Sequence, residues 1–217
     1  VSKTIYHAVF TAHPVFSLDA ANSYKLSEMA GKNLTKPFPD NAYNPRTEIS
    51  LLDEHNEATS VIKNAREAIM LLHKKILKEK HFKNLSGWRD SVPQLFAVST
   101  WVGYDIDGRS DISWLDSFRL RLSEKKTSLD LYIEKLLPLR ESHSQVVQII
   151  DELSVERSAT EADLERFSTI ENNGFVDCAN RLSERKDKLI ASRAFAERLR
   201  KIAADTQNPE EAIELLA

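Results

Sequence analysis

Cysteine, glycine and long apolar runs are what this chain of 217 residues has least of. Its single cysteine, Cys178, excludes an internal disulfide framework and suits a reducing compartment. Cys178 stands in a helical stretch, after Asp177, with no catalytic histidine or aspartate partner evident, which reads as a buried apolar role rather than a nucleophile. No stretch approaches the roughly 20 apolar residues that span a bilayer, and no signal peptide precedes the first strand, so a cytoplasmic protein without membrane contact is expected. Neither sign of charge dominates. The net charge is −3, and the lysines and arginines are interleaved with acids, a pattern without the basic footprint of a nucleic-acid binder.

Apolar residues make up 41% of the chain and charged ones 29%, with only 5 glycines, which points to a globular, helix-rich protein. Ser17 is placed to cap a helix running through Ala20, Ala21, Leu26 and Met29 to a stop at Gly31, and the proline-rich and asparagine-rich stretch 32–46 reads as a loop. From Thr47, the series Leu51, His55, Ala58, Ile62, Ala65, Ile69, Leu72, Ile76 alternates steps of four and three, the seam of a long helix packed along its length against another. His55 on that seam reads as a core or rim histidine rather than a ligand. Ser113, with Asp116 three later, caps a helix carrying Leu115, Phe118, Leu122, Leu129, Tyr132 or Ile133, and Leu136, ended by Pro138. A further helix is expected over Ser144 to Leu153, another from near Thr160, and a long one from Phe175 to about Ala204 after the break at Asn172, Asn173 and Gly174. Asn208, Pro209, Glu210 and Glu211 open a last helix that runs to the end. With Val1 only a few residues before a strand, both ends read as cut from a longer chain.

Two segments carry the chemistry. Ala8 to Pro14 (AVFTAHP) and Val98 to Gly108 (VSTWVGYDIDG) each read as a strand ending in a tight turn with ionisable groups, the strands lying at about 5–12 and 94–102. Pro14 disfavours the helical region at His13 and keeps it extended, so Thr11 and His13 share one side of the chain. Gly103 and Gly108 bracket Asp105 and Asp107, two carboxylates that share a face if the backbone is extended and cap the turn if it is not. Strands that deliver a histidine and carboxylates at their C-terminal ends have the layout of an α/β-barrel active site.

The pair of segments resembles phosphoenolpyruvate carboxylase. That family carries a strand ending T-A-H-P-T and then a second reading roughly S-W-M-G-G-D-R-D-G-N-P; the matches here are Thr11, Ala12, His13 and Pro14, then Trp101, Gly103, Asp105, Asp107 and Gly108, with Asp105 ninety-two positions after His13. The resemblance implies a mainly α fold with two short parallel strands, the N-terminal excerpt of a helix-elaborated α/β (TIM-like) barrel. Residues 1–217 would form one helical unit holding the first two barrel strands. It also implies carboxylation of phosphoenolpyruvate by bicarbonate to oxaloacetate and phosphate in the full-length protein, with the fragment itself inactive. His13 takes the catalytic role, and Thr11, Asp105, Asp107, Gly108 and Arg109 bind substrate or shape the site. Imidazole suits the role because its ordinary pKa, near ~6.5, lets it take and return a proton at neutral pH. Mg2+, held by ligands outside this stretch, and a homo-oligomer, a tetramer in the family, are implied in the same way.

The chain departs from the family where arginines are expected. Asp19 and Ala20 stand near the first motif and Ile106 in the second, removing fork donors for phosphate and carboxylate; Arg109 replaces one of them if its turn lets it swing inward. Tyr104 adds a ring where the family has glycine. Altered or lost activity is the expected consequence. Two other readings stay open: a non-catalytic helical interaction or scaffold module derived from the family, and a D-x-D-G phosphatase, for which Arg109 stands where Thr or Ser is expected.

Overall fold

The computed structural model describes residues 6–10, 20–31, 49–90, 95–106, 108–170, 174–185 and 192–217. The protein is mainly helical with two short strands. In chain order the elements are β1 (Tyr6–Phe10), α1 (Ala20–Gly31), α2 (Leu51–Phe82), a 3-10 turn (Trp88–Asp90), β2 (Phe96–Thr100), α3 (Trp114–Leu136), α4 (Ser144–Ser168), α5 (Phe175–Arg185), α6 (Ser192–Asp205) and α7 (Pro209–Leu216). A second 3-10 turn, Leu137–Leu139, follows α3 where Pro138 cannot continue the α-helical ladder. Among the described residues, no helix is long and apolar enough to cross a membrane.

β1 and β2 pair in parallel, in register from Tyr6 opposite Phe96 to Phe10 opposite Thr100. Two strands alone cannot hold a sheet in water, and α2 lies against both of them. The strand ends are tied together: Thr100 Oγ1 donates to the Phe10 carbonyl at 2.8 Å and accepts from the Val102 amide at 3.1 Å.

Helix α2 begins at Leu51, not Thr47, because Ser50 is extended and forms a capping box with Asp53: Ser50 Oγ accepts from the Asp53 amide and the Asp53 carboxylate accepts from the Ser50 amide. Its expected seam is also met differently. His55 and Ala58 are buried, Leu72 is exposed, and the deepest apolar residue is Leu77, outside the series. Instead of one helix along its length, α2 meets β1, β2, α7 and the Trp88–Asp90 turn. A seam so divided has no reason to keep a strict heptad.

The main core gathers Leu129 and Leu136 of α3, Val146, Ile149 and Leu153 of α4, Ile202 and Ala203 of α6, and Ala212 and Leu215 of α7. A second cluster, Leu122 and the fully buried Phe167 with Phe118 edge-on to it, closes the other end of the antiparallel α3–α4 pair. α4 is one helix from Ser144 to Ser168, which corrects the expected break between Leu153 and Thr160. Polar residues in the second half of this helix are buried with partners: Glu156 pairs with Lys125, Thr160 Oγ1 donates to the Glu156 carbonyl at 2.8 Å, and Asp163 accepts from Arg181 Nε at 2.7 Å. Ser113–Asp116 caps α3 and Asn208 caps α7 as the sequence indicates. The expected cap at Ser17, the loop 32–46, the break at 172–173 and the Cys178 side chain lie outside the described residues, as do 186–191 between α5 and α6.

Candidate functional site

Because the strands are parallel, the segments following Phe10 and Thr100 leave from the same edge of the sheet. The second of these is a tight turn. Gly103 has φ 87°, a conformation glycine adopts without strain, and a β-carbon there would run into Leu120 Cδ1. Ser117, in the first turn of α3, donates to the Gly103 carbonyl, so the turn is fastened to the helix that follows it.

Of the site residues read from the sequence, Asp105, Gly108 and Arg109 fall together on this turn. Thr11, His13 and Asp107 lie outside the described residues. The Asp105 carboxylate folds back over Gly108, where a β-carbon would sit 2.9 Å from both of its oxygens. Glycine at 108 is what lets that carboxylate close on the turn.

Arg109 does not reach toward the strand ends to replace a missing arginine. Its Nε and one Nη form a fork on Asp111, at 3.0 and 2.6 Å, and the other Nη donates to Glu54 Oε2 at 2.6 Å. These bonds raise the guanidinium pKa further above its usual value, Asp111 contributing first and Glu54 second, while Arg109 holds the Asp111 carboxyl below the usual carboxylate range. The residue that was expected to swing inward is therefore a strut between the turn and the first turn of α2.

Tyr104 of this turn joins a polar group in which the sequence singled out Tyr104 and His55 but not Glu124 or Arg121. Tyr104 Oη donates to Glu124 Oε2 at 3.3 Å, and Arg121 donates to the same oxygen at 3.1 Å. Burial, then the Glu124 charge, pushes the Tyr104 phenol up to about 12, so it stays a donor at neutral pH. Glu124 Oε1 stands 3.9 Å from Nδ1 of His55, and both atoms are buried without a hydrogen-bond partner among the described residues. His55 Nε2 meets Thr59 Oγ1 at 3.4 Å. Burial lowers the His55 pKa and Glu124 opposes that shift without cancelling it, so the imidazole is neutral at pH 7. His55 is the core histidine the seam suggested, with one of its nitrogens unsatisfied.

Next to this group, between α2, β2 and α3, is a cavity of about 110 Å³. Lys63 and Arg66 of α2, Arg121 and Glu124 of α3, and Ser99 of β2 line it. Arg66 donates to Ser128 Oγ at 2.9 Å across the cleft, and Ser99 Oγ is 2.9 Å from His7 Nε2 of β1. Lys63 and Arg66, one turn apart, read in sequence as a solvated helix face; only the tertiary fold brings Arg121 beside them. No group of three or more His, Cys, Asp or Glu side chains among the described residues is arranged to hold a metal ion.

Fold and site together define a mainly helical protein whose described residues include one parallel strand pair. No family model, no curated protein and no solved structure matches the chain.

Proposed function

We propose that this chain is the N-terminal part of a phosphoenolpyruvate carboxylase-like enzyme, the two strands being the first of a TIM-like barrel. The observation that carries the reading is the parallel, in-register pairing of β1 and β2, which sends the segments bearing both motifs from one edge of the sheet. Ligands of α/β barrels gather at that edge. In the reaction, a bicarbonate oxygen attacks the phosphorus of phosphoenolpyruvate and the enol oxygen leaves, giving carboxyphosphate and the enolate of pyruvate. His13 takes the carboxyphosphate proton, carboxyphosphate then parts into CO2 and phosphate, and C3 of the enolate bonds to CO2 to form oxaloacetate. Asp105, Gly108 and Arg109 shape the neighbouring turn. Mg2+, with ligands outside this stretch of chain, would neutralise developing charge on phosphate and enolate. Phosphoenolpyruvate, bicarbonate and a homo-oligomeric assembly belong to the same reading, as does a cytoplasmic setting.

The test is oxaloacetate formation by the full-length protein from phosphoenolpyruvate, Mg2+ and bicarbonate, beside His13→Asn. Turnover in the parent and its loss by 10²-fold or more in the variant, the scale of a general acid–base group, is expected. A second reading, a non-catalytic scaffold derived from the family, is favoured by the engagement of Arg109 with Glu54 and Asp111, which leaves the turn without a phosphate-directed guanidinium. A folded parent that neither turns over nor binds phosphoenolpyruvate would decide for it.

A further inference from the structure

We propose that the cleft between α2, β2 and α3 is a binding site for inorganic phosphate. Its volume, about 110 Å³, is below the roughly 300 Å³ at which pockets for drug-sized ligands begin. It admits one compact group. Three cationic side chains, Lys63, Arg66 and Arg121, line it against a single carboxylate, Glu124, an excess of two positive charges in a chain whose net charge is −3. That local reversal of sign matches a dianion. Arg66 spends one N–H on Ser128 and Arg121 one on Glu124, so each guanidinium retains further N–H groups, and no ion pair engages the Lys63 ammonium among the described residues. The hydroxyls of Ser99 and Thr59 also line it, each within hydrogen-bond distance of a histidine Nε2, that of His7 and of His55.

Glu124 does not itself receive the anion: its Oε2 already accepts from Tyr104 and Arg121, and its Oε1 is buried toward His55. The excess of positive charge and the size of the cleft set the ligand class, a compact oxyanion, and inorganic phosphate is the member proposed. The cleft lies along β2, short of the Gly103–Arg109 turn, and owes nothing to His13 or to the carboxylase reading. Failure of either proposal leaves the other standing, since this one is read as binding by the chain without turnover.

The experiment is calorimetric titration of the 217-residue chain with sodium phosphate at pH 7 and constant ionic strength, with sodium chloride as the control. One saturable phosphate site is expected, weakened roughly tenfold by Lys63→Gln and by Arg66→Gln, as loss of a charge-assisted contact implies. Lys63 is exposed, so Lys63→Gln keeps the test open should Arg66→Gln fail to fold. No saturable phosphate binding, or equal binding by Lys63→Gln, would each overturn the proposal.

Discussion

Replacing Gly103 by alanine probes the turn on which the site rests. Two separate penalties act there. The backbone sits at φ 87°, in the left-handed half of conformational space where a β-carbon costs about 1–2 kcal/mol. The new methyl would also overlap Leu120 Cδ1 in a side chain only 7% exposed, an overpacking worth about 1–3 kcal/mol. Gly103→Ala should therefore destabilise the chain by about 2–5 kcal/mol in urea unfolding followed by circular dichroism. The two contributions separate in a double-mutant cycle with Leu120→Ala. Truncating Leu120 opens space for the methyl but does nothing for the backbone, so in that background Gly103→Ala should cost only about 1–2 kcal/mol. A loss below about 0.5 kcal/mol in the wild-type background, or a cost that stays the same in both, would refute the account of this turn.

Arg109→Gln removes the strut to Glu54 and Asp111, and because these side chains are partly exposed the loss should be modest, about 1 kcal/mol. Since Arg109 holds the Asp111 carboxyl below its ordinary value, the Arg109–Asp111 contribution is fully present above about pH 4 and disappears as pH falls through the depressed value. The stability gap between wild type and Arg109→Gln should thus be flat from pH 5 to 8 and narrow in more acid solution; a gap that narrows already at pH 6 would contradict it. His55 acts the other way in mechanism: burial depresses its pKa, so the unfolded chain takes up the proton first and stability falls as pH drops below about 6.5. Imidazole NMR shifts should show His55 titrating below about 6.5, and titration above that value would mean that Glu124 dominates. Phe167→Ala, which empties a fully buried site between α3 and α4, should cost about 3–5 kcal/mol in chemical denaturation.

What the sequence made legible was local. Ser113 with Asp116 and Asn208 with Pro209 announce helix starts through bonds that span three residues or fewer, and both are found. The strand pair was readable for a related reason, since each strand is a short apolar run closed by its own turn chemistry. Buried polar pairs were not. Glu156 and Asp163 are satisfied by Lys125 and Arg181, thirty-one and eighteen positions away, which no local spacing indicates. Arg109 looks available for substrate until Glu54, fifty-five positions earlier, is placed beside it. The cleft of Lys63, Arg66 and Arg121 was hidden because charges on an amphipathic helix read as solvated, and nothing in local spacing indicates that α3 brings another arginine opposite them.

Oxygen-18-labelled bicarbonate tests the central claim most directly. If bicarbonate attacks the phosphorus, one of its oxygens stays on phosphate when carboxyphosphate parts. Incubating the full-length protein with phosphoenolpyruvate, Mg2+ and labelled bicarbonate should give phosphate carrying one heavy oxygen per oxaloacetate formed, a transfer abolished in His13→Asn. Phosphate released without label, or label transfer undiminished by that substitution, would contradict the assignment of the paired strand ends as the start of a carboxylase site.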